Sequence, residues 1–400
     1  MLHESLKLSS LVIHGGQEPD PVTGAVMPPI SLASTYAQQS PGVHRGFEYS
    51  RSHNPTRYAF ERCIAAVEGS TLTRQQDVTN GGFAFASGMA ATGTALELLD
   101  SGEHLIAMDD LYGGTYRLMT RVRERSQGIQ VSYADMTDVR RIESAITDRT
   151  KMIWVETPTN PTLKVVDLEA VSAIARHHNI ITVCDNTFAT PILQRPLEHG
   201  FDIAMHSATK YLGGHSDVVG GALVTNRADL AERIRFLQNA IGSIMGPFDS
   251  YMALRGMKTL AVRMRQHCGN AARIASWLAQ HTKIDRVVYP GLESHPQHAI
   301  AAGQMRMCGQ PAFGGMITMF LKGGLAESRR FLESVRLFAL AESLGGVESL
   351  IEHPAIMTHA SVPPQKRAEL GISDSLVRLS VGIEDCDDLI ADLDRALAAV

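Results

Sequence analysis

From about residue 61 the chain alternates between short apolar runs and segments with helical spacing. Runs at 83–86 (FAFA), 104–108 (HLIAM), 129–133 (IQVSY), 151–155 (KMIWV), 180–184 (IITVC), 202–205 (DIAM) and 218–225 (VVGGALVT) predict strands. Segments 61–69, 87–102, 116–127, 137–146 and 168–178 predict helices between them. Near-continuous apolar runs separated by helices point to a mostly parallel sheet buried on both faces. This α/β sheet domain ends near 243–247. Residues 251–280 then carry an apolar stripe that includes Leu254, Met257, Ala261, Met264, Cys268, Ala271 and Leu278. Such a stripe predicts one long amphipathic helix, or two in line. Further strands at 315–321, 337–340 and 376–382, with helices at 326–335 and 387–399, predict a smaller C-terminal α/β domain.

The first 60 residues lack this periodicity. Pro19, Pro21, Pro28, Pro29, Pro41 and Pro55 interrupt them, and Gly15–Gly16 add a turn. They read as an extended arm without its own core, which must lie on its own body or on a neighbouring subunit. The expected division is an arm over 1–60, a sheet domain over 61–250 and a C-terminal domain over 251–400. Within the arm, FEYSRSHNPTR (47–57) is either a solvated turn or an anion- or substrate-binding loop.

Composition narrows the class. At 44% apolar and 20% charged, the chain resembles an ordinary globular protein. A net charge of −5 and a pI near 6.3 leave no basic footprint for nucleic acid. The uncharged run 81–96 is too short and polar for a bilayer. The start, MLHESLK, has no apolar core and does not read as a signal peptide. The five cysteines form no CxxC, and the 16 histidines no HExxH. Neither a disulfide framework nor a metal site is expected, and the setting is cytoplasmic.

In an open α/β sheet, ligands gather at the carboxyl ends of strands. Four expected strands end in functional groups there. FAFA leads into Ser87-Gly88-Met89 and a helix start, whose backbone N–H groups can grip a phosphate. KMIWV leads into Glu156-Thr157-Pro158-Thr159-Asn160-Pro161, and IITVC into Asp185-Asn186-Thr187. DIAM leads through His206 to Ser207, Thr209 and Lys210, with Gly213–Gly214 beyond. Each has a bland alternative: Gly88 can simply end a strand, Asp185 can cap a turn, and Lys210 can be a solvated amine. Together, a lysine, an acid and a phosphate cradle are what pyridoxal 5'-phosphate (PLP) needs: imine formation, a protonated ring nitrogen, an anchored phosphate.

Long segments also resemble the Cys/Met-metabolism family of PLP-dependent enzymes, the cystathionine γ-synthase-like group. They include FEYSRSHNPTR, FASGMAA, DLYGGTYR, ETPTNP, VCDNTFATP, HSATKYLGGHSDVVGG, AESLGGVESLIEHPAIMTHAS and VRLSVGIED, in that order over nearly the whole chain. The loop 71–82 looks longer than is usual there. The resemblance implies PLP fold type I, the aspartate aminotransferase-like arrangement. It implies that Lys210 bonds the cofactor and moves protons, that Asp185 pairs with the ring nitrogen, and that Gly88, Met89, Ser207 and Thr209 hold the phosphate. Thr187 lies near the ring, and Tyr112 stacks on it as a candidate acid and base. Asn160, Arg378 and the Ser343 backbone hold the substrate carboxylate, with Arg378 as a bidentate fork; Arg117 belongs to the shared substrate site. Tyr49 and Arg51 reach the phosphate of a neighbouring subunit, which implies active sites shared across a dimer within a homotetramer.

Which reaction follows rests on fewer residues. Glu48 and Glu342 suit the distal ammonium of L-cystathionine. Gly114 stands where methionine γ-lyases carry cysteine, and Glu342 where some β-lyases carry an aromatic. The expectation is α,γ-elimination of L-cystathionine to cysteine, 2-oxobutyrate and ammonia, with hydrogen sulfide from cysteine as a further product. The alternatives are γ-replacement of an O-acyl-homoserine by cysteine, and a relative that binds PLP without turnover.

Overall fold

The computed structural model describes residues 6–360 and 362–400. A seven-stranded sheet contains β1 (Gly82–Phe85), β2 (His104–Met108), β3 (Gln130–Ala134), β4 (Thr150–Glu156), β5 (Ile181–Asp185), β6 (Ile203–Ser207) and β7 (Gly221–Thr225). These are the expected strands, shifted by at most a few residues. The chain divides into two compact units, residues 1–99 with 195–261 and residues 100–194 with 262–400.

In the first unit β7 lies between β1 and β6 and runs antiparallel to both, with Leu223 opposite Phe83 and Met205. The sheet is therefore mixed. A parallel return needs a crossover, usually a helix. Residues 208–220 form turns instead, so β7 doubles back beside β6. Two helices extend into the expected arm: α1 (Leu8–His14) buries Leu11 and Val12, and α2 (Pro55–Val67) starts six residues before the apolar pattern. The early start has a local cause. Asn54 accepts the Thr56 and Arg57 N–H groups at 3.0 Å each, and Pro55 needs no partner for the donor it lacks. Between α1 and α2 there are only turns and isolated bridges such as Thr35 with Tyr49. There Val22 is 89%, Val26 84% and Leu32 72% exposed on the single chain.

In the second unit β2 to β5 are all parallel, with β2 between β3 and β4 and β5 beside β4. Every residue of β2 is buried, which explains why its sequence does not alternate. A five-stranded sheet takes the order Ala339–Leu340, Leu350–Glu352, Leu376–Ser380, Met316–Leu321, Ile284–Val288. Its core joins Ile317, Met319, Val377 and Leu379 to Ile274, Leu278, Leu389 and Leu393 from flanking helices. Each such buried side chain is worth about 1.5–3 kcal/mol. The stripe at 251–280 resolves into two helices, Pro247–Met257 and Leu260–Leu278. The five cysteines are free thiols, and only Cys308 is exposed. Among the described residues, no helix is long and apolar enough to cross a membrane.

Candidate active site

In the first unit, α3 (Gly88–Leu96) starts directly after β1, with Ser87 as its cap: Ser87 Oγ accepts the Ala90 N–H at 3.0 Å. The N–H groups of Gly88 and Met89 have no acceptor among the described residues. Close packing demands glycine here. A Cβ on Gly88 would stand 2.9 Å from Ser207 Cβ, and one on Gly221 would stand 2.3 Å from the Ser87 carbonyl oxygen. The structure thus brings the α3 terminus against Ser207 at the end of β6. Thr209 is fixed nearby by accepting the Gly220 N–H at 3.0 Å, and the Lys210 N–H closes a turn on the Ser207 carbonyl at 3.2 Å. Unpaired helix-terminal N–H groups beside two hydroxyl residues fit a phosphate, and half-buried Lys210 follows directly.

Three candidates from the arm lie in the same unit. Tyr49 is 48% exposed. Arg51 hydrogen-bonds the carbonyl and side-chain oxygens of Asn239 in its own chain. Glu48 is half exposed, 3.9 Å from a His53 ring nitrogen. Asp77, in the loop before β1, is held in both oxygens by Arg235 and keeps its carboxyl below the usual range despite burial. That loop is therefore ordered by an ion pair.

In the second unit, β5 ends at buried Asp185. Thr187 donates its hydroxyl, and its N–H at 3.1 Å, to the same Asp185 oxygen. Thr187 thus fixes one oxygen of the acid that the resemblance places at the ring nitrogen. Glu156 ends β4 opposite Asp185 in the register. Its burial, then the Asp185 charge, push its carboxyl well above the usual range. Tyr112 precedes the helix Gly113–Leu118, 40% exposed, and its ring edge folds over Gly114: a Cβ there would meet Cε1 at 2.4 Å. Arg117 is exposed on that helix.

The substrate-carboxylate candidates do come together. Arg378 is 2% exposed. One terminal nitrogen donates to Asn160 Oδ1 at 2.7 Å and pairs with Glu352 at 2.8 Å; the other donates to the Ser343 carbonyl at 2.8 Å. Ser343 reaches that position with φ of 95°, a left-handed conformation costly for a side-chain-bearing residue. The Arg378 Nε–H is buried without a partner. Of the guanidinium's donors, Nε–H is thus the one left without a protein acceptor among the described residues. His359 is fully buried and bonds the Asn160 carbonyl at 3.1 Å; burial, then the Arg378 charge, pull its pKa down to about 4. Glu342 is exposed at the start of the Ser343 turn.

Sequence reasoning missed Glu352 and His359 and gave Glu156 no role. Glu156 had a signal, an acid closing an apolar strand beside the strand of Asp185. The other two are legible only through partners distant in the chain.

A family profile described as "Cys/Met metabolism PLP-dependent enzyme" matches residues 9–398. The chain is 60% identical over 391 residues to a cystathionine beta-lyase of Coxiella burnetii, covering 98% of this chain and 97% of that protein. It is 52% identical over 392 residues to a cystathionine gamma-lyase of Dictyostelium discoideum, covering 98% and 97%. The crystal structure of a cystathionine gamma synthase from Xanthomonas oryzae pv. oryzae, in complex with aminoacrylate and cysteine, superposes with a TM-score of 0.93 at 41% identity over 98% of each chain. Matched by that profile over almost its whole length and at least half identical to these two lyases, the chain belongs to the Cys/Met metabolism PLP-dependent enzyme family and uses PLP as its cofactor.

Proposed function

We propose that this PLP-dependent carbon–sulfur lyase carries out α,γ-elimination of L-cystathionine. Water enters, and L-cysteine, 2-oxobutyrate and ammonia leave. The observation that carries an amino-acid substrate is Arg378: a buried guanidinium, braced on three sides, with Nε–H left for a carboxylate. In this reading Gly88, Met89, Ser207 and Thr209 would hold the phosphate of PLP, and Asp185 would keep its ring nitrogen protonated. Bound PLP supplies an aldehyde that condenses with amines and a ring that draws electrons from the substrate's α-carbon. Lys210 Nζ would hold the cofactor through its aldehyde carbon, and the same amine would move the substrate's Cα proton. The Tyr112 hydroxyl, or that of Tyr49 from a neighbouring subunit, protonates the departing sulfur.

The γ preference rests on charge and space. Glu48 and Glu342 are exposed carboxylates suited to the distal ammonium of L-cystathionine. Gly114 leaves room for the Tyr112 ring where a cysteine side chain would collide with it. Two readings compete. β-Elimination draws on the β-lyase name of one relative, and γ-replacement on the γ-synthase structure. The lyase reading predicts faster 2-oxobutyrate release from L-cystathionine than cystathionine formation from an O-acyl-homoserine plus cysteine. The opposite order supports a synthase. Lys210→Ala should abolish turnover and the visible band of lysine-bound PLP; a band and turnover that persist would remove Lys210 from its role.

A further inference from the structure

Glu156 is a buried carboxylate, 5% exposed, that the steps above do not use. A buried acid ordinarily needs a cation. Among the described residues Glu156 has none; both its oxygens instead accept backbone N–H groups. Oε2 takes that of Tyr112 at 3.0 Å, and Oε1 that of Asn160 at 2.9 Å. One carboxyl therefore ties the loop after β2 to the loop after β4. Other bonds staple the same loops without touching either residue: Asp110 accepts from Thr159 and Thr162, and Lys164 pairs with Asp109 and Asp135. Glu156 is the group that sets the Tyr112 backbone against the Asn160 backbone. Its burial beside a second acid, Asp185, opposes folding, so stability alone does not explain it.

We propose that Glu156 is a positioning residue, holding Tyr112 over the cofactor ring and Asn160 at the substrate carboxylate through one side chain. The inference rests on the roles proposed above for Tyr112 and Asn160. Two aligned groups lose rate steeply when either shifts, even from a change outside the reacting centre.

Glu156→Gln tests this in the holoenzyme. The amide oxygen keeps one acceptor, but its NH2 then faces the other backbone N–H. We expect kcat/KM for L-cystathionine to fall by roughly 10–100-fold, with kcat down and KM up. The visible circular dichroism of bound PLP should change and PLP should leave faster on dialysis, while the thermal midpoint stays near that of the parent. On an Asn160→Ala background the same substitution should cost less, because the two act together. Should Glu156→Gln fail to fold, Glu156→Asp, which keeps the carboxyl but shortens the reach, carries the same expectations. Parental kinetics, a loss that simply adds to that of Asn160→Ala, unchanged dichroism and PLP retention, or unfolding of both variants would overturn the proposal. A parent enzyme inactive on L-cystathionine would sink the functional reading instead; dichroism and PLP retention would still decide the role of Glu156.

Discussion

His359 and His267 are buried with their pKa values pulled down to about 4, chiefly by burial. The unfolded chain takes up each proton near pH 6.5, the folded one only near 4. Between those values the unfolded state binds more protons, so stability falls as pH drops from 6.5 towards 4 and is untouched above 6.5. Each histidine is worth about 3 kcal/mol over that window. Thermal unfolding of the holoenzyme should show the decline, and His267→Asn should remove a good part of it. A flat profile from pH 6.5 to 4.5, or the same dip in the variant, would contradict this. At this scale the sequence is readable where polar side chains end apolar strands, as Asp185 ends β5 and Ser207 ends β6. It is not readable where a role depends on a distant partner. Nothing near Glu352 in the sequence says that it braces Arg378, and nothing near His359 says that it meets Asn160.

The β1–α3 turn shows what elements contribute. It is packed so closely on β6 and β7 that two glycines are required, for different reasons. A methyl at Gly88 would press on the Ser207 side chain, whereas one at Gly221 would strike the Ser87 backbone itself. Gly221→Ala should therefore loosen PLP more than Gly88→Ala, each by about 1–3 kcal/mol of strain. Rates of PLP loss on dialysis rank the two variants; parental retention in Gly221→Ala would refute the packing argument. Strands buried on both faces were legible because their apolar runs admit no alternation. The direction of β7 was not, since it depends on whether residues 208–220 form a helix, and they form turns around Lys210 instead. The start of α2 was missed because its signal is the Asn54 cap and not an apolar stripe. The helix Ala228–Ile241 was missed because charges at Asp229, Glu232, Arg233 and Arg235 dilute its apolar face.

For the whole molecule, the exposed stretch between α1 and α2 is the informative surface. Val22, Val26 and Leu32 stand in solvent on one chain, and Tyr49 with them. A covering neighbour would account for them, with Tyr49 and Arg51 reaching its phosphate. Mixing inactive Lys210→Ala with inactive Arg51→Ala subunits should then restore about a quarter of parental activity, because half the dimers are mixed and each holds one intact site. No recovery after subunit exchange would confine each site to its own chain. The prolines made the irregular stretch between α1 and α2 legible, but not α1 or the early start of α2 on either side of it, and what covers that stretch needs a partner to be read.

The central claim concerns which carbon–sulfur bond of L-cystathionine breaks, and the ratio of 2-oxobutyrate to pyruvate released by the purified holoenzyme measures it directly. The account predicts 2-oxobutyrate in excess, with cysteine as the thiol product. Pyruvate in excess, accompanied by homocysteine, would contradict it and make the protein a β-lyase.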